Sequence, residues 1–181
     1  ERLFVLHPRK DRLKGVPTDL AFYFLNSLLP AILLSVPISV LVAGLKRVTP
    51  EAYTDAVSGL PLGVTIFLGI VVSEIGSYWG HRLSHETPFL WRFHSLHHAP
   101  EHVDWLINTR AHPLDMVFTR LCGLVPLYVL GLASPSATGQ AAMVPVYITL
   151  IGTVWAFFVH ANVRWRFGPL EQLLATPHFH N

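Results

Sequence analysis

The sequence has few charged residues and almost no cysteine. Only 13% of its 181 residues are charged, about half the share of roughly 25% in ordinary soluble domains. The formal net charge of +2 is small, and no basic stripe with interspersed aromatic residues suggests a nucleic-acid partner. The single cysteine, Cys122, excludes an internal disulfide and a thiolate metal cluster, and it is most simply a small apolar filler. Hydrophobic residues, in contrast, make up 51% of the chain.

Four apolar stretches are long enough to cross a bilayer, which takes about 20 residues of helix. They cover approximately residues 20–45, 61–80, 113–132 and 138–160. Pro30 and Pro37 interrupt the first stretch as kinks that membrane helices tolerate. The chain has no internal repeat or low-complexity tract. The sequence therefore predicts an all-α integral membrane protein, a single membrane domain over residues 1–181 with about four transmembrane helices.

The basic residues of the connections predict the orientation, because short cytosolic loops are enriched in lysine and arginine. Most of them lie before the first stretch, between the second and third, and after the fourth. They are Arg2, Arg9, Lys10, Arg12, Lys14, Arg82, Arg92, Arg110, Arg164 and Arg166. The histidines fall on or beside the same face. We therefore expect a protein of the bacterial inner membrane or the endoplasmic reticulum, with its histidines on the cytosolic side.

Histidine spacing is the main chemical signal. The stretch HRLSHETPFLWRFHSLHH, residues 81–98, contains an HxxxH and an HxxHH motif, and each motif puts its imidazoles on one face of a helix. The candidate metal ligands on this side of the protein are His81, His85, His94, His97, His98, His160 and His180. Imidazole suits zinc, copper, iron and nickel. Seven ligands exceed the needs of one tetrahedral zinc ion, so the pattern favours a two-metal site over isolated interfacial histidines.

Three segments of the chain resemble a known family. GSYWGHRLSHE, WRFHSLHHAPEHVDWLINTRAHPLD and FFVHANVRWRFGPLEQLLATPHFH occur in the order expected of the fatty acid hydroxylase and sterol desaturase superfamily. The resemblance runs from about Glu74 to the end of the chain. Members of that superfamily are membrane oxygenases whose histidine boxes hold two irons on the cytosolic side. The resemblance implies the same cofactors here, two iron ions with O2 as cosubstrate.

The resemblance also assigns the ligands. The matching positions are His81 and His85 in the first box, His94, His97 and His98 in the second, His160 as a further single histidine, and His180 at the start of the third. Residues 81–112 would then form a cytosolic metal-binding loop. The remaining histidine pair of the third box would lie beyond Asn181, so we expect the sequence to be a fragment that is truncated within that box.

The activity implied is hydroxylation or desaturation of a lipid, of sterol or fatty-acyl type, at an unactivated C–H bond. Such work belongs to the metal, so no catalytic side chain is expected beyond the ligands. The chain contains no GxGxxG fingerprint for a nicotinamide or flavin cofactor. Electrons would therefore come from an external donor, which could be a b-type cytochrome, a ferredoxin or a reductase.

Five further residues are candidates to hold a ligand in place through its second ring nitrogen. They are Glu74, Asp104, His112, Asp115 and Asn162. Each has an alternative. Glu74 could pair with a polar group of another span, the two aspartates could be solvated, His112 could itself be a ligand, and Asn162 could orient a water molecule or cap a helix.

Two other functions remain open from the sequence. A histidine-rich membrane metal transporter would carry ionisable residues along a path through several spans, whereas the histidines here gather at one face. A non-catalytic membrane scaffold would require a broken histidine box, and the first two boxes are intact. The oxygenase is therefore the favoured hypothesis.

Overall fold

The structure is a computed structural model that describes residues 15–100, 105–133, 143–172 and 174–180, without the side chains of residues 172, 179 and 180. All its regular elements are helical. The α-helices are α1 (Val16–Val48), α2 (Glu51–Ser58), α3 (Leu62–Glu86), α4 (Pro88–His94), α5 (Pro113–Val129), α6 (Val144–Val159) and α7 (Pro177–His180). Two short 3-10 helices cover Trp105–Thr109 and Gly168–Gln172. The prediction of an all-α fold is confirmed for the described residues.

Two of these helices are long and apolar enough to cross a membrane. They are α1, with 33 residues, and α3, with 25 residues, and they contain the first two predicted spans. The other two predicted spans correspond to α5 and α6, which have only 17 and 16 residues. At about 1.5 Å per residue these helices are roughly 25 Å long, slightly shorter than a bilayer core of about 30 Å. Part of the fourth predicted span, residues 138–142, lies outside the described residues.

The outer face of α1 is a continuous apolar stripe. Its members recur every four residues and are 64–70% exposed: Phe24, Leu28, Ile32, Val36 and Val40. Consecutive members lie about one turn apart, so they form a stripe that winds gradually around the helix. An apolar surface of this extent is unusual on a soluble monomer. The stripe is therefore suited to contact with lipid. Pro30 and Pro37 lie within α1, which continues through both.

Small residues let α3 and α5 approach closely. A Cβ atom on Gly76 would overlap the backbone carbonyl of Cys122, and one on Gly80 would lie 2.8 Å from the Cβ of Cys122. Cys122 thus fills the contact between the two helices, as expected of a small apolar residue. Glycine at both positions is required by this packing.

The helices place the histidines at one end of the assembly. The buried apolar core, around Leu127, Val144 and Ile148, joins the end of α5 to the starts of α3 and α6. The histidines of residues 81–98 and His160 lie at the opposite end, where α3 and α6 finish and α5 begins. This antiparallel arrangement brings residues from distant parts of the sequence to the same place.

Candidate metal centre

The last turns of α3 carry the first pair of histidines. His81 and His85 are one helical turn apart, and their Nε2 atoms lie 3.2 Å from each other. The helix ends one residue after His85, at Glu86. Both rings therefore project from the end of α3 on one face, as their spacing predicted.

The short helix α4 returns the chain to this face. It begins with Pro88 at its first position, which suits a helix start because proline needs no N–H partner there. Its last residue, His94, is buried, and its Nε2 lies 3.2 Å from Nε2 of His85. Nε2 of His98 lies 3.1 Å from Nε2 of His94. The ligand atoms of His81, His85, His94 and His98 all lie within 4.8 Å of one another.

A carboxylate from α5 holds the central ring of this four-histidine group. Oδ2 of Asp115 lies 2.9 Å from Nδ1 of His94, and its Oδ1 accepts a hydrogen bond of 3.2 Å from the hydroxyl of Ser84. Asp115 is buried. If Nδ1 of His94 donates to this carboxylate, the lone pair of Nε2 points into the group, as a metal ligand requires.

His97 points towards a second group. Helix α4 ends at His94, and residues 95–98 form a turn rather than a continuation of the helix. The ring of His97 lies beside those of His98 and His94, with centroids 5.2 and 5.6 Å away, and it also reaches the end of α6. Its Nε2 lies 3.1 Å from Nε2 of His160, the residue that caps the end of α6. The three imidazoles of the HxxHH motif therefore lie together as expected, although a turn rather than a helix carries His97 and His98.

The second ring nitrogens of this pair are held by the backbone. Nδ1 of His97 donates to the carbonyl of Arg110 at 3.3 Å, and Nδ1 of His160 donates to the carbonyl of Ala156 at 2.8 Å. Burial, together with the nearby imidazoles of His160, His98 and His94, lowers the pKa of His97 to about 2. The imidazole of His97 is therefore neutral at physiological pH, the form that binds metals.

The arrangement of nitrogens fits a metal cation. Across both groups, Nε2 atoms face one another at 3.1–3.2 Å. Two imidazole nitrogens at this distance must share either a proton or a cation, because two lone pairs repel each other. Neutral imidazoles whose Nδ1 atoms are already engaged leave their Nε2 lone pairs for a metal. An all-nitrogen set of this kind suits iron, zinc, copper or nickel.

Comparison with known proteins decides the family. Residues 66–181 match the sequence model of the fatty acid hydroxylase family, which is more than half of the chain and includes all seven predicted ligands. The chain belongs to the fatty acid hydroxylase family. No solved structure matches it.

The chain is similar to a lipid hydroxylase and to alkylglycerol monooxygenases. The chain is 42% identical over 124 residues to the ornithine lipid hydroxylase OlsE of Rhizobium tropici, an alignment that covers 66% of this chain and 34% of OlsE. It is 28% identical over 118 residues to the alkylglycerol monooxygenase of Homo sapiens, covering 63% of this chain and 23% of that enzyme. It is 31% identical over 114 residues to the alkylglycerol monooxygenase of Danio rerio, with the same shares of 63% and 23%. The chain thus spans about a third or less of the length of these relatives.

Two of the predicted supporting residues have contacts away from the histidine groups. Glu74 faces α6, since its Oε1 lies 3.5 Å from the place that a Cβ on Gly152 would occupy. His112 is the N-cap residue of α5, and its Nδ1 accepts a hydrogen bond of 3.2 Å from the backbone N–H of Leu114. Glu74 therefore lies in the contact between α3 and α6, and His112 caps the start of α5.

The other predicted residues are less fully described. Asn162 is buried two residues beyond His160, and it is His160 rather than Asn162 that caps α6. Asp104 lies outside the described residues. The side chain of His180 is also outside them, but its backbone belongs to α7, which packs against α6. His180 stays a predicted ligand of this fatty acid hydroxylase family member.

Three contributors to the site were not expected from the sequence. Ser84 orients Asp115, and the carbonyl of Arg110 orients His97. The ring of Trp91 stacks on that of His98, with centroids 5.7 Å apart and an interplanar angle of 28°. The position of Trp91, three residues before His94, could have indicated a contact with the histidines. Nothing in the local sequence indicated that Ser84 contacts Asp115 or that the Arg110 carbonyl contacts His97.

Proposed function

We propose that this protein is a membrane-bound di-iron oxygenase that hydroxylates or desaturates a lipid at an unactivated C–H bond, using O2 and external electrons. The observation that carries the proposal is the convergence of six imidazoles, from α3, the α4 region and α6, with their Nε2 atoms facing one another. The names of the relatives, a lipid hydroxylase and alkylglycerol monooxygenases, favour an enzyme over the alternatives of a metal transporter or a scaffold.

The two groups of imidazoles suggest how the ligands would be divided. One iron would be held by the four-histidine group of His81, His85, His94 and His98, and the other by His97 and His160 together with His180 of α7. When bound, the irons would supply the oxidant made from O2 that breaks the C–H bond. In hydroxylation, one oxygen atom would enter the lipid and the other would leave as water, with two electrons from the donor and two protons.

The protein's own residues would orient the ligands. Asp115 fixes the ring of His94 and the Arg110 carbonyl fixes that of His97, so that both Nε2 atoms face the metals. His94, Asp115 and His160 are all buried. His85 and His98 are exposed, so the hydrogen bonds to Asp115 and to the Arg110 carbonyl, rather than burial of the whole set, would preorganise the ligands.

The lengths and composition of the helices suggest a membrane arrangement. We propose that α5 and α6 span the membrane beside α1 and α3, which makes a single four-span domain over residues 1–181. Residues 81–112 would then form a metal-binding cap on the cytosolic face, in a bacterial inner membrane or the endoplasmic reticulum. A lipid would enter from the bilayer, and a b-type cytochrome, ferredoxin or reductase would deliver electrons from the cytosol. The apolar exposed face of α1 and the basic residues near the cap support this orientation.

Oxygen labelling tests the proposal. The full-length protein, loaded with iron and supplied with a chemical reductant or a ferredoxin system, would be incubated under 18O2 with an ornithine lipid or an alkylglycerol. Mass spectrometry should find one 18O atom in the hydroxylated product, or the loss of two hydrogens if the reaction is desaturation. Failure of iron-loaded, reduced protein to alter either of these lipids or a sterol and fatty-acyl panel would contradict the proposal.

A further inference from the structure

Two polar residues lie on the buried face of the otherwise apolar helix α1. Asp19 and Asn26 are each 3% exposed, and their separation of seven residues places them on the same face. Burial of an amide or a carboxylate is unfavourable by a few kcal/mol unless hydrogen bonds compensate for the lost water. Both residues would therefore be expected to have specific polar partners, and those partners belong to one short segment of the chain.

The segment is residues 109–111, between the second histidine box and α5. Nδ2 of Asn26 donates to the backbone carbonyls of Thr109 and Ala111, each at 2.9 Å. An amide group has two N–H bonds, so one side chain satisfies both carbonyls. Nε of Arg110 lies 3.6 Å from Oδ1 of Asp19, and both side chains are largely removed from solvent. Residues 109–111 are therefore held against α1 by two hydrogen bonds and an ion pair.

Residues 109–111 also orient His97. The carbonyl of Arg110, which lies between the two carbonyls bound by Asn26, accepts the hydrogen bond from Nδ1 of His97 at 3.3 Å. A proton on Nδ1 leaves the lone pair of Nε2 directed to His160, 3.1 Å away. α1 is thus connected to His97 through the Asn26 side chain, the backbone of residues 109–111 and the hydrogen bond from His97 to the Arg110 carbonyl.

We infer that Asn26 is a positioning residue for the His97–His160 metal group, acting through the Arg110 carbonyl, with Asp19 assisting through the Arg110 side chain. The inference rests on the proposed function, because it concerns ligands of the same centre. It assigns α1 a role beyond anchoring, since this helix contains none of the histidines of the two groups. Removal of a residue that hydrogen-bonds to a metal ligand typically lowers metal affinity about 10- to 100-fold.

The variant Asn26→Leu removes both hydrogen bonds while retaining a side chain of similar size. Ser27→Ala is the matched control, because the Ser27 hydroxyl is exposed and its hydrogen bond to the carbonyl of Tyr23 lies within α1. The measurement is the iron retained by the full-length, iron-loaded protein during titration with a chelator. Asn26→Leu should bind the iron of the His97–His160 group about 10-fold less tightly than wild type. Ser27→Ala should match wild type.

Combined variants show whether the effect passes through His97. Asn26→Leu should add no further iron loss in a His97→Ala background, but should add its full effect in a His81→Ala background. Full, equal effects in both backgrounds would overturn the inference. The proposed function has a separate outcome: if His97→Ala itself retains all its iron, the assignment of the metal group fails. If His97→Ala loses iron and Asn26→Leu does not, only the inference fails.

A milder pair of variants covers the case in which Asn26→Leu does not fold. The Thr109 hydroxyl lies 2.8 Å from the carbonyl of Leu106 and 3.2 Å from that of Asp19, so it helps to join the segment to α1. Thr109→Val removes this hydroxyl at nearly constant volume, and Thr109→Ser keeps it. Iron retention should fall in Thr109→Val and recover in Thr109→Ser, both at unchanged helical circular dichroism. Equal retention in the two variants would contradict the inference.

Discussion

Nδ1 of His94 lies 2.9 Å from Oδ2 of Asp115, and both side chains are buried. The two residues belong to different helices and are separated by 21 positions in the sequence. Their contact joins the four-histidine group to the first turn of α5, so the position of the metal centre depends on how α5 packs against α3.

The first prediction concerns this contact. Asp115→Asn keeps the shape of the side chain but removes its charge and one of its acceptor atoms. We expect iron affinity to fall about 10- to 100-fold, because the ring of His94 loses the partner that fixes its orientation. Chelator titration of the iron-loaded protein measures the change. Ser84→Ala, which removes only the hydroxyl that orients Asp115, should have a smaller effect, and an unchanged affinity in Asp115→Asn would contradict the role assigned here.

The second prediction separates the two groups of ligands. His97→Ala should lose about one of two irons and all turnover, because the Nε2 that faces His160 is removed. His85→Ala should likewise lose iron from the other group, since its Nε2 lies 3.2 Å from those of both His81 and His94. Elemental analysis and the lipid assay check both variants. His178→Ala is a useful control, since the family pattern starts at His180. Retained turnover at normal iron content in His97→Ala would refute its assignment as a ligand.

The third prediction concerns the aromatic cover of the four-histidine group. Trp91 stacks on His98 and also lies beside His85, with ring centroids 5.5 Å apart. Stacking of this kind is worth about 1 kcal/mol, so Trp91→Ala should release iron to a chelator several-fold faster. Trp91→Phe retains an aromatic ring and should release iron at close to the wild-type rate. Identical release from the two variants would show that the ring does not protect the centre.

The fourth prediction tests the packing that positions α5. A Cβ on Gly76 would overlap the carbonyl of Cys122, whereas one on Gly63, in the same helix, would meet nothing within 4 Å. Gly76→Ala should therefore destabilise the protein by about 1–3 kcal/mol and weaken iron binding as the two helices separate. Gly63→Ala should be neutral or slightly stabilising, because alanine is the better helix former. Thermal unfolding in detergent compares them, and equal stability would contradict the close approach.

The sequence predicted the parts of the site that are local. The pairing of His81 with His85 follows from one helical turn, and the helical class follows from the length of the apolar stretches. The number of long membrane helices did not follow, because apolar composition cannot show that α5 and α6 are only 17 and 16 residues long.

Contacts between distant segments could not be predicted in detail. Residue spacing correctly placed the rings of His94, His97 and His98 together. It could not show that α4 ends at His94 and that the following turn brings His97 to His160. Asp115 was one of several candidate carboxylates, and only the packing of α5 on α3 places it beside His94. The partners of Asn26 are backbone carbonyls 83 and 85 residues away, and a backbone carbonyl has no signature in a sequence.

The most direct test of the account is the iron content of the full-length protein, purified from its native membrane and measured per chain by elemental analysis. The account predicts two irons per chain, both lost when His94 and His97 are replaced together. Active protein that contains no iron, or one that keeps two irons after that double replacement, would contradict it.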